Sequence, residues 1–265
     1  MNAYPRYAEP FWWWGPAWDS PTPRGIAALL RDETIDSWTA ANLWAALSRR
    51  RSVAVIAGPS GVGKTTLLTA LLEFLPPQTR RIYPRGCFET FAFLSDPKVV
   101  ATETALLINE ISPHLPVYLW GPAVGKMLEA ADRGFALLTT AHAGTVQEFV
   151  GTLTGSPLRL PAARIAAFEF VVVMETAAEN RSGRRVRGVW RLMPTASGVE
   201  IGVQPCLPHN IFQKPLDSNT HHQSWFAAEE LILRQQTLDA LCIERIEELP
   251  KPPWPGFSGA TPRLP

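Results

Sequence analysis

Residues 58–65 read Gly58-Pro59-Ser60-Gly61-Val62-Gly63-Lys64-Thr65, and this stretch decides the fold. It fits the pattern G-x-x-x-x-G-K-[ST] at every fixed position. Three glycines let the backbone curl tightly, so that successive N–H groups point at one anion. Lys64 can then reach the outer phosphates of a nucleotide, and the Thr65 hydroxyl can ligate Mg²⁺. We predict a phosphate-binding loop for ATP and Mg²⁺, formed by these eight residues and Thr66.

The segments on either side of the loop support this interpretation. Residues 52–57 form a short β-branched run, which is typical of a buried strand. Residues 65–74 carry apolar side chains at helical spacing, and Pro76-Pro77 ends that pattern. A strand, a tight loop and a helix N-terminus together form an anion site, so a chance match in a glycine-rich turn is the weaker alternative.

Composition limits the class of protein. The chain has 265 residues, 46% of them hydrophobic, and a net charge of +1, so no global field favours nucleic acid. The three cysteines, Cys87, Cys206 and Cys242, show neither metal-ligand spacing nor a disulfide pattern. No signal peptide and no run long enough to span a bilayer is found. These features predict a cytoplasmic protein.

Three regions follow from changes in composition. Residues 1–50 combine an arm rich in tryptophan and proline with helical patterns, including a helix over 39–47 capped by Ser37 or Thr39. Residues 51–205 form the predicted ATPase core. Residues 206–265 contain a long amphipathic helix, predicted over 224–249, and a proline-rich tail.

Strands and helices alternate along the predicted core. This alternation predicts an α/β fold of the P-loop, RecA-like type, with a parallel sheet flanked by helices. A small antiparallel element of two strands, around a turn at 195–198, closes the core. The predicted strands are 52–57, 81–83, 105–108, 135–140, 170–174, 184–192 and 199–203, and the predicted helices within the core are 65–74, 124–133 and 145–153.

Polar residues at the ends of these strands are the catalytic candidates. Glu110 follows the apolar run 105–108, at the sheet edge where α/β proteins bind ligands. It is the candidate for activating water or for holding the water shell of Mg²⁺. Glu89 is a second candidate acid. His142 follows the strand 135–140, where it could sense a γ-phosphate.

The order of these segments resembles the motor ATPases of type II and type IV secretion and of type IV pili. Residues 58–72 resemble that superfamily's nucleotide loop and helix, and residues 108–112 resemble its Walker B segment. Residues 134–143 resemble its histidine box, and the strand 185–192 its closing β element. The resemblance implies a hexameric ring, located at the inner membrane as a peripheral protein and partnered by membrane subunits of a secretion or pilus machine.

Several features depart from that superfamily. Its acidic box pairs Glu with Asp, but here only Glu89 is kept. Residues 113–121 lengthen the gap before His142, and 117–121 could itself be the Walker B strand, which would demote Glu110. The first fifty residues are too few to build the family's N-terminal domain, so the chain is expected to be a reduced relative.

Two other functions stay open at this point. The loop also resembles that of guanylate kinases, although residues 80–93 make a poor acceptor lid. A nucleotide-binding regulator with little hydrolysis is the third hypothesis. If the chain forms a ring, the candidates for reaching a neighbour's phosphate are Arg164, Arg181, Arg184, Arg185 and Arg187.

Overall fold

The computed structural model describes residues 24–178, 182–195, 198–202 and 226–243. The tryptophan- and proline-rich residues before position 24 and the proline-rich tail after position 243 lie outside these residues. Among the described residues, no helix combines the length and the apolar character that crossing a lipid bilayer requires.

Seven strands of the described chain form one sheet: β1 (Val53–Ala57), β2 (Arg80–Ile82), β3 (Thr104–Ile111), β4 (Ala136–His142), β5 (Phe170–Thr176), β6 (Arg184–Thr195) and β7 (Gly198–Gly202). Their order in the sheet is β2-β3-β4-β1-β5-β6-β7. The first five strands in this order are parallel, while β6 pairs antiparallel with β5 and β7 pairs antiparallel with β6. The order places β4 between β1, which leads into the glycine-rich loop, and β3. This is the predicted RecA-like P-loop α/β fold, with its small antiparallel element at one edge.

The helices cover both faces of this sheet. They are α1 (Ile26–Arg31), α2 (Ser37–Leu47), α3 (Lys64–Leu71), α4 (Pro122–Asp132), α5 (Val146–Thr154), α6 (Ala162–Ile165) and α7 (Ala228–Ile243). Val53, Val55 and Ala57 pack in one core cluster with α1, α2, α3 and α7. Ala54 and Ile56 pack in a second cluster with α4, α5 and α6. Because β1 is covered on both faces, its sequence is a continuous apolar run and not an alternating one.

The helix boundaries show where local capping differs from the sequence prediction. Helix α2 begins at Ser37 because the Asp36 side chain accepts a hydrogen bond from the Thr39 backbone N–H, so neither Ser37 nor Thr39 is the cap. Helix α3 is shorter than predicted, and a 3₁₀ turn over residues 72–74 follows it before the prolines. Helix α5 begins after Thr145, whose hydroxyl oxygen accepts a hydrogen bond from the Glu148 N–H.

Helix α7 covers the outer side of α2. Arg49 forms two hydrogen bonds with Glu230, and the guanidinium of Arg234 lies 4.7 Å from the ring centre of Trp44. Trp44 in turn stacks on Phe74 at 5.4 Å. The helix begins at Ala228, four residues after the predicted start at 224, and the predicted end at 249 lies outside the described residues. Through Leu238 it joins α2 in the core cluster that contains β1.

A half-buried glutamate that follows α3, Glu73, makes stability depend on pH. Glu73 accepts a hydrogen bond from the Ile26 N–H, and burial raises its pKa from 4.5 to about 7, against the lowering effect of that hydrogen bond. The folded state therefore binds this proton more tightly than the unfolded state. Its contribution is complete below pH 4.5 and is lost as the pH rises through about 7.

We expect the free energy of unfolding of the parent to fall by up to about 3 kcal/mol more than that of Glu73→Gln between pH 4.5 and pH 8. Glutamine can still accept from Ile26 but does not ionise. The measurement is urea unfolding across this range. Glu129→Gln, which changes an exposed glutamate on α4, is the matched control and should follow the parent. Parallel pH profiles for the parent and Glu73→Gln would contradict the assignment.

Candidate active site

The glycine-rich loop joins β1 to α3 at the carboxyl edge of the sheet. Gly61 and Gly63 have φ angles of +77° and +92°, which residues with a side chain adopt only with strain. Helix α3 starts directly after Gly63, and no side chain caps its first turn. Its free N–H groups and the N-terminal end of the helix dipole therefore point to the loop, which fits an anion.

Lys64 lies at the start of α3 and is only 7% exposed. Burial lowers the pKa of its ammonium group, while the nearby negative charge of Glu110 opposes this shift. Thr65 and Thr66 follow in the same turn and are half-buried. The lysine of the loop and the glutamate at the end of β3, 46 positions apart, are thus close enough to interact electrostatically.

A β-bulge directs Glu110. Ile108 pairs with Thr139 and Ile111 with Ala141, so β3 has one more residue than β4 in this interval. The Thr140 hydroxyl donates to the Asn109 carbonyl oxygen across the bulge. Ile108 and Ile111 pack in the same cluster, on the face away from α3. Regular alternation would place them on opposite faces, so the bulge reverses the alternation and turns Glu110 to the side of α3.

His142 completes this group from the neighbouring strand. It is the last residue of β4, directly beside Ala57 at the end of β1. Its Nε2 lies 3.5 Å from Oε1 of Glu110, and its Nδ1 lies 3.4 Å from the carbonyl oxygen of Gly58. The structure therefore brings the loop, Glu110 and His142 together, as their positions at the ends of three parallel strands predict.

Glu110 also fits a role toward Mg²⁺. The glutamate is 6% exposed, and its Oε1 is buried and accepts no hydrogen bond. A buried carboxylate oxygen without a donor costs free energy unless it serves a ligand. Together with the Thr65 hydroxyl in the first turn of α3, it supplies the hard oxygen donors that Mg²⁺ prefers.

The predicted Glu89 has a different environment. Its carboxylate oxygens accept hydrogen bonds from the backbone N–H groups of Arg85 and Phe91 at 2.8 and 2.6 Å. Gly86 in the same turn packs closely against the segment after β3. A side chain at this position would place its Cβ 2.2 Å from the Pro116 carbonyl oxygen, so only glycine fits. This carboxylate holds the loop after β2, which favours a structural role over the predicted catalytic one.

The alternative Walker B strand over 117–121 does not form. Only Leu119 makes a bridge, with Ile111, and its N–H donates to the Glu110 carbonyl oxygen. The inserted segment therefore folds back along the end of β3 and adds no strand to the sheet. Glu110 keeps its place at the end of a strand that is paired on both sides.

The sequence did not predict that His114 and its partner Ser112 lie beside His142. His114 lies in the same inserted segment, with its ring centre 5.8 Å from that of His142. Its Nδ1 lies 2.7 Å from the Ser112 hydroxyl oxygen, which also accepts from the His114 backbone N–H. The only sequence signal for His114 is its position four residues after Glu110, within the inserted segment 113–121.

The arginines predicted to reach a neighbouring subunit fall into different environments. Arg164 pairs with Asp132, which precedes β4 at the opposite edge of the sheet, and Arg185 pairs with Glu175 at 2.9 Å. Arg181 lies outside the described residues. Arg184, however, contacts the glycine-rich loop of its own chain. Its guanidinium lies so close to Gly63 that a Cβ added to this glycine would be 2.7 Å from Nη1 of Arg184.

The chain has a distant structural likeness to a secretion ATPase. The crystal structure of the VirB11 ATPase from the Brucella suis type IV secretion system, in complex with sulphate, matches with a TM-score of 0.43 and 22% identity. The match covers 56% of this chain and 50% of that one, so it spans about half the length of that protein. No protein-family model and no curated protein matches the sequence. The fold assignment accordingly stands on the sheet order and the loop.

Proposed function

We propose that this protein binds ATP with Mg²⁺ and hydrolyses it. The observation that carries the proposal is the convergence of Lys64 and Glu110 at one end of the sheet, beside a loop built to hold phosphate. Phosphoryl transfer to water uses a cation that neutralises charge on the phosphate and a residue that positions the water, and Lys64 and Glu110 can fill these two parts.

Each residue has a defined part in this proposal. The N–H groups of residues 58–65 and the Lys64 ammonium hold the β- and γ-phosphates. The Thr65 hydroxyl and Glu110 would hold Mg²⁺ and its water shell, and a bound ion would supply positive charge to neutralise the phosphates. Glu110 orients the attacking water and accepts its proton. His142, between Glu110 and Gly58, is placed to respond to the γ-phosphate.

The type of ATPase is proposed from the resemblance in the loop and the histidine box. We propose a motor of the secretion and pilus superfamily that acts as a ring at the cytoplasmic side of a membrane. The histidine at the end of β4 supports this choice over a kinase, because a kinase has no use for it there. The machine and the cargo are left unassigned.

Steady-state turnover tests the proposal against its two alternatives. The parent should release phosphate from ATP in the presence of Mg²⁺ without any added acceptor. A nucleotide kinase would instead require GMP or another nucleoside monophosphate and would form a diphosphate. A protein that binds ATP but releases no phosphate at any concentration would be the regulator of the third hypothesis.

Arg184 is proposed to contact phosphate within its own chain. Its contact with Gly63 places it beside Lys64, and a hydrogen bond to a charged group contributes about 1.5–3 kcal/mol. Arg184→Ala should therefore weaken ATP binding by about 10- to 100-fold, measured by calorimetry at a concentration where the protein is monomeric.

The control for this variant is Arg187→Ala on the same strand. The Arg187 side chain is 56% exposed and lies 3.9 Å from Glu175, so its loss should leave ATP affinity nearly unchanged. If Arg184→Ala weakens binding only at concentrations where the chain self-associates, the contact belongs to a neighbouring subunit, as the sequence prediction had it.

A further inference from the structure

We propose that Glu110, His114 and His142 form a binding site for a divalent transition metal, with Zn²⁺ as the best-matched ion. Each of the three side chains offers one ligand atom, and these atoms all lie within 4.8 Å of one another. The site is separate in chemistry from the Mg²⁺ of the proposed function, because two of its three ligands are imidazoles.

The spacing of the ligand atoms suits a small tetrahedral ion. Zn²⁺ binds histidine nitrogen and carboxylate oxygen at about 2.0–2.2 Å, which puts two neighbouring ligand atoms about 3.4 Å apart. Oε1 of Glu110 and Nε2 of His142 already lie 3.5 Å apart. His114 belongs to the exposed part of the inserted segment, so its ring can move the remaining distance without disturbing the core.

The unsatisfied carboxylate oxygen of Glu110 is a second sign that this group faces a cation. Oε1 of Glu110 accepts no hydrogen bond although the residue is 6% exposed. The atom faces Nε2 of His142 at a distance too long for a good hydrogen bond. A cation between the two atoms would satisfy the oxygen and the imidazole nitrogen at the same time, which removes the cost of burying the oxygen.

Both histidines have an oxygen at the ring nitrogen that would not bind the metal. Nδ1 of His142 lies 3.4 Å from the Gly58 carbonyl oxygen, and Nδ1 of His114 lies 2.7 Å from the Ser112 hydroxyl oxygen. Histidines that bind metals usually donate their second N–H to such an oxygen, which leaves the lone pair of Nε2 for the ion. The Gly58 carbonyl oxygen can only accept, so it favours the His142 tautomer with a lone pair on Nε2. The Ser112 hydroxyl oxygen can support His114 in the same way when it accepts from Nδ1–H.

The donor set selects the class of metal. Two imidazoles and one carboxylate with an open fourth position are typical of Zn²⁺ and of the neighbouring first-row ions. Mg²⁺ prefers oxygen ligands and would gain little from the imidazoles.

Binding at this site has a consequence that rests on the proposed function. The ion would occupy Glu110, the group proposed to activate water, and would fix His142 beside the first residue of the phosphate loop. Zn²⁺ should therefore slow ATP hydrolysis when Mg²⁺ is present in excess, and the slowing should depend on His114.

The first arm of the test uses the full-length chain without nucleotide. Zn²⁺ affinity is measured by competition with a chromophoric chelator, and Co²⁺ replaces Zn²⁺ to give a visible absorption band typical of tetrahedral sites. The parent should bind one Zn²⁺ at this site. His114→Gln should lose at least about 100-fold in affinity, because the loss of supporting residues alone costs about 10- to 100-fold. Ser112→Ala, which removes only the support of His114, should lose about 10- to 100-fold.

Matched variants separate this site from other metal ligands of the chain. His221→Gln with His222→Gln changes two histidines outside the described residues, and Cys87→Ser changes an exposed thiol. Both should keep the affinity and the Co²⁺ band. Equal Zn²⁺ affinity of His114→Gln and the parent, with unchanged circular dichroism, would overturn the proposal. A parent that binds no Zn²⁺ would overturn it as well.

The second arm measures hydrolysis with and without Zn²⁺, each variant relative to its own rate without Zn²⁺. The parent should be slowed and His114→Gln should not. Equal slowing of both would overturn the link between this site and Glu110. A parent without any ATP turnover would overturn the proposed function and leave the metal site to the first arm, which involves no nucleotide.

Discussion

Glu110→Gln should reduce ATP turnover by about 10²- to 10⁴-fold, because a positioned general base contributes rate acceleration of this size. The substitution keeps the shape of the side chain and removes its ability to accept a proton from water. ATP affinity should stay within about threefold of the parent, since the lost interaction acts mainly in the transition state. Phosphate release and nucleotide binding, measured on the same preparation, give the two values.

The matched control for this variant is Glu103→Gln. Glu103 is exposed and lies just before β3, at the end of the strand opposite to Glu110. The Glu103→Gln protein should therefore turn over ATP at the parent rate. His142→Ala provides the contrast, because it should hydrolyse ATP but couple hydrolysis poorly to movement. If Glu110→Gln turns over ATP at the parent rate, Glu110 is not the catalytic acid.

Lys64→Ala should weaken ATP binding by about 10²-fold or more, measured by calorimetry with Mg²⁺ present. The lysine is buried beside the loop, so its contact with phosphate would be shielded from water and charge-assisted, a class of interaction that contributes about 1.5–3 kcal/mol or more. Because about 1.4 kcal/mol corresponds to a factor of ten, the loss of the hydrogen bond alone should weaken ATP affinity by about 10- to 100-fold. The charge interaction with the other phosphates adds to it.

Removing Lys64 also removes the positive charge on α3 that interacts with the Glu110 carboxylate. Lys64→Met, which keeps most of the buried chain, separates the loss of charge from the loss of packing. Lys98→Ala changes an exposed lysine and serves as the matched control, with unchanged affinity expected. Parent-like ATP affinity in a folded Lys64→Met protein would remove the basis of the nucleotide-binding proposal.

Much of the fold could be predicted because its signals are local. The continuous apolar run of β1, the glycines of the loop and the prolines after α3 each restrict the backbone through neighbours in sequence. The alternation of strands and helices then leaves few topologies, since parallel strands require right-handed crossovers. The cap of α2 was wrong by one to three residues, because several polar residues compete at such a site and only geometry selects Asp36.

The candidate site was predicted only in part. Glu110 and His142 could be named as candidates because each follows an apolar run of a predicted strand, which is a pattern within the sequence. The roles of Glu89 and Arg184 depend on where loops after β2 and before β6 fold back. Arg184 reaches the loop of its own chain through the pairing of β6 with β5, a contact across more than a hundred residues that no local pattern encodes.

The sequence by itself determined the glycine-rich loop, the strand before it and the polar residues at the strand ends, because these depend on backbone restrictions and on burial over a few residues. Only the tertiary structure decided that β4 lies between β1 and β3, that a bulge turns Glu110 toward Lys64, and that the inserted segment returns to place His114 beside Glu110 and His142. The physical reason is that strand pairing and loop return are set by packing between distant segments. A metal site or a catalytic pair requires distances of a few ångströms between atoms that the chain order leaves far apart.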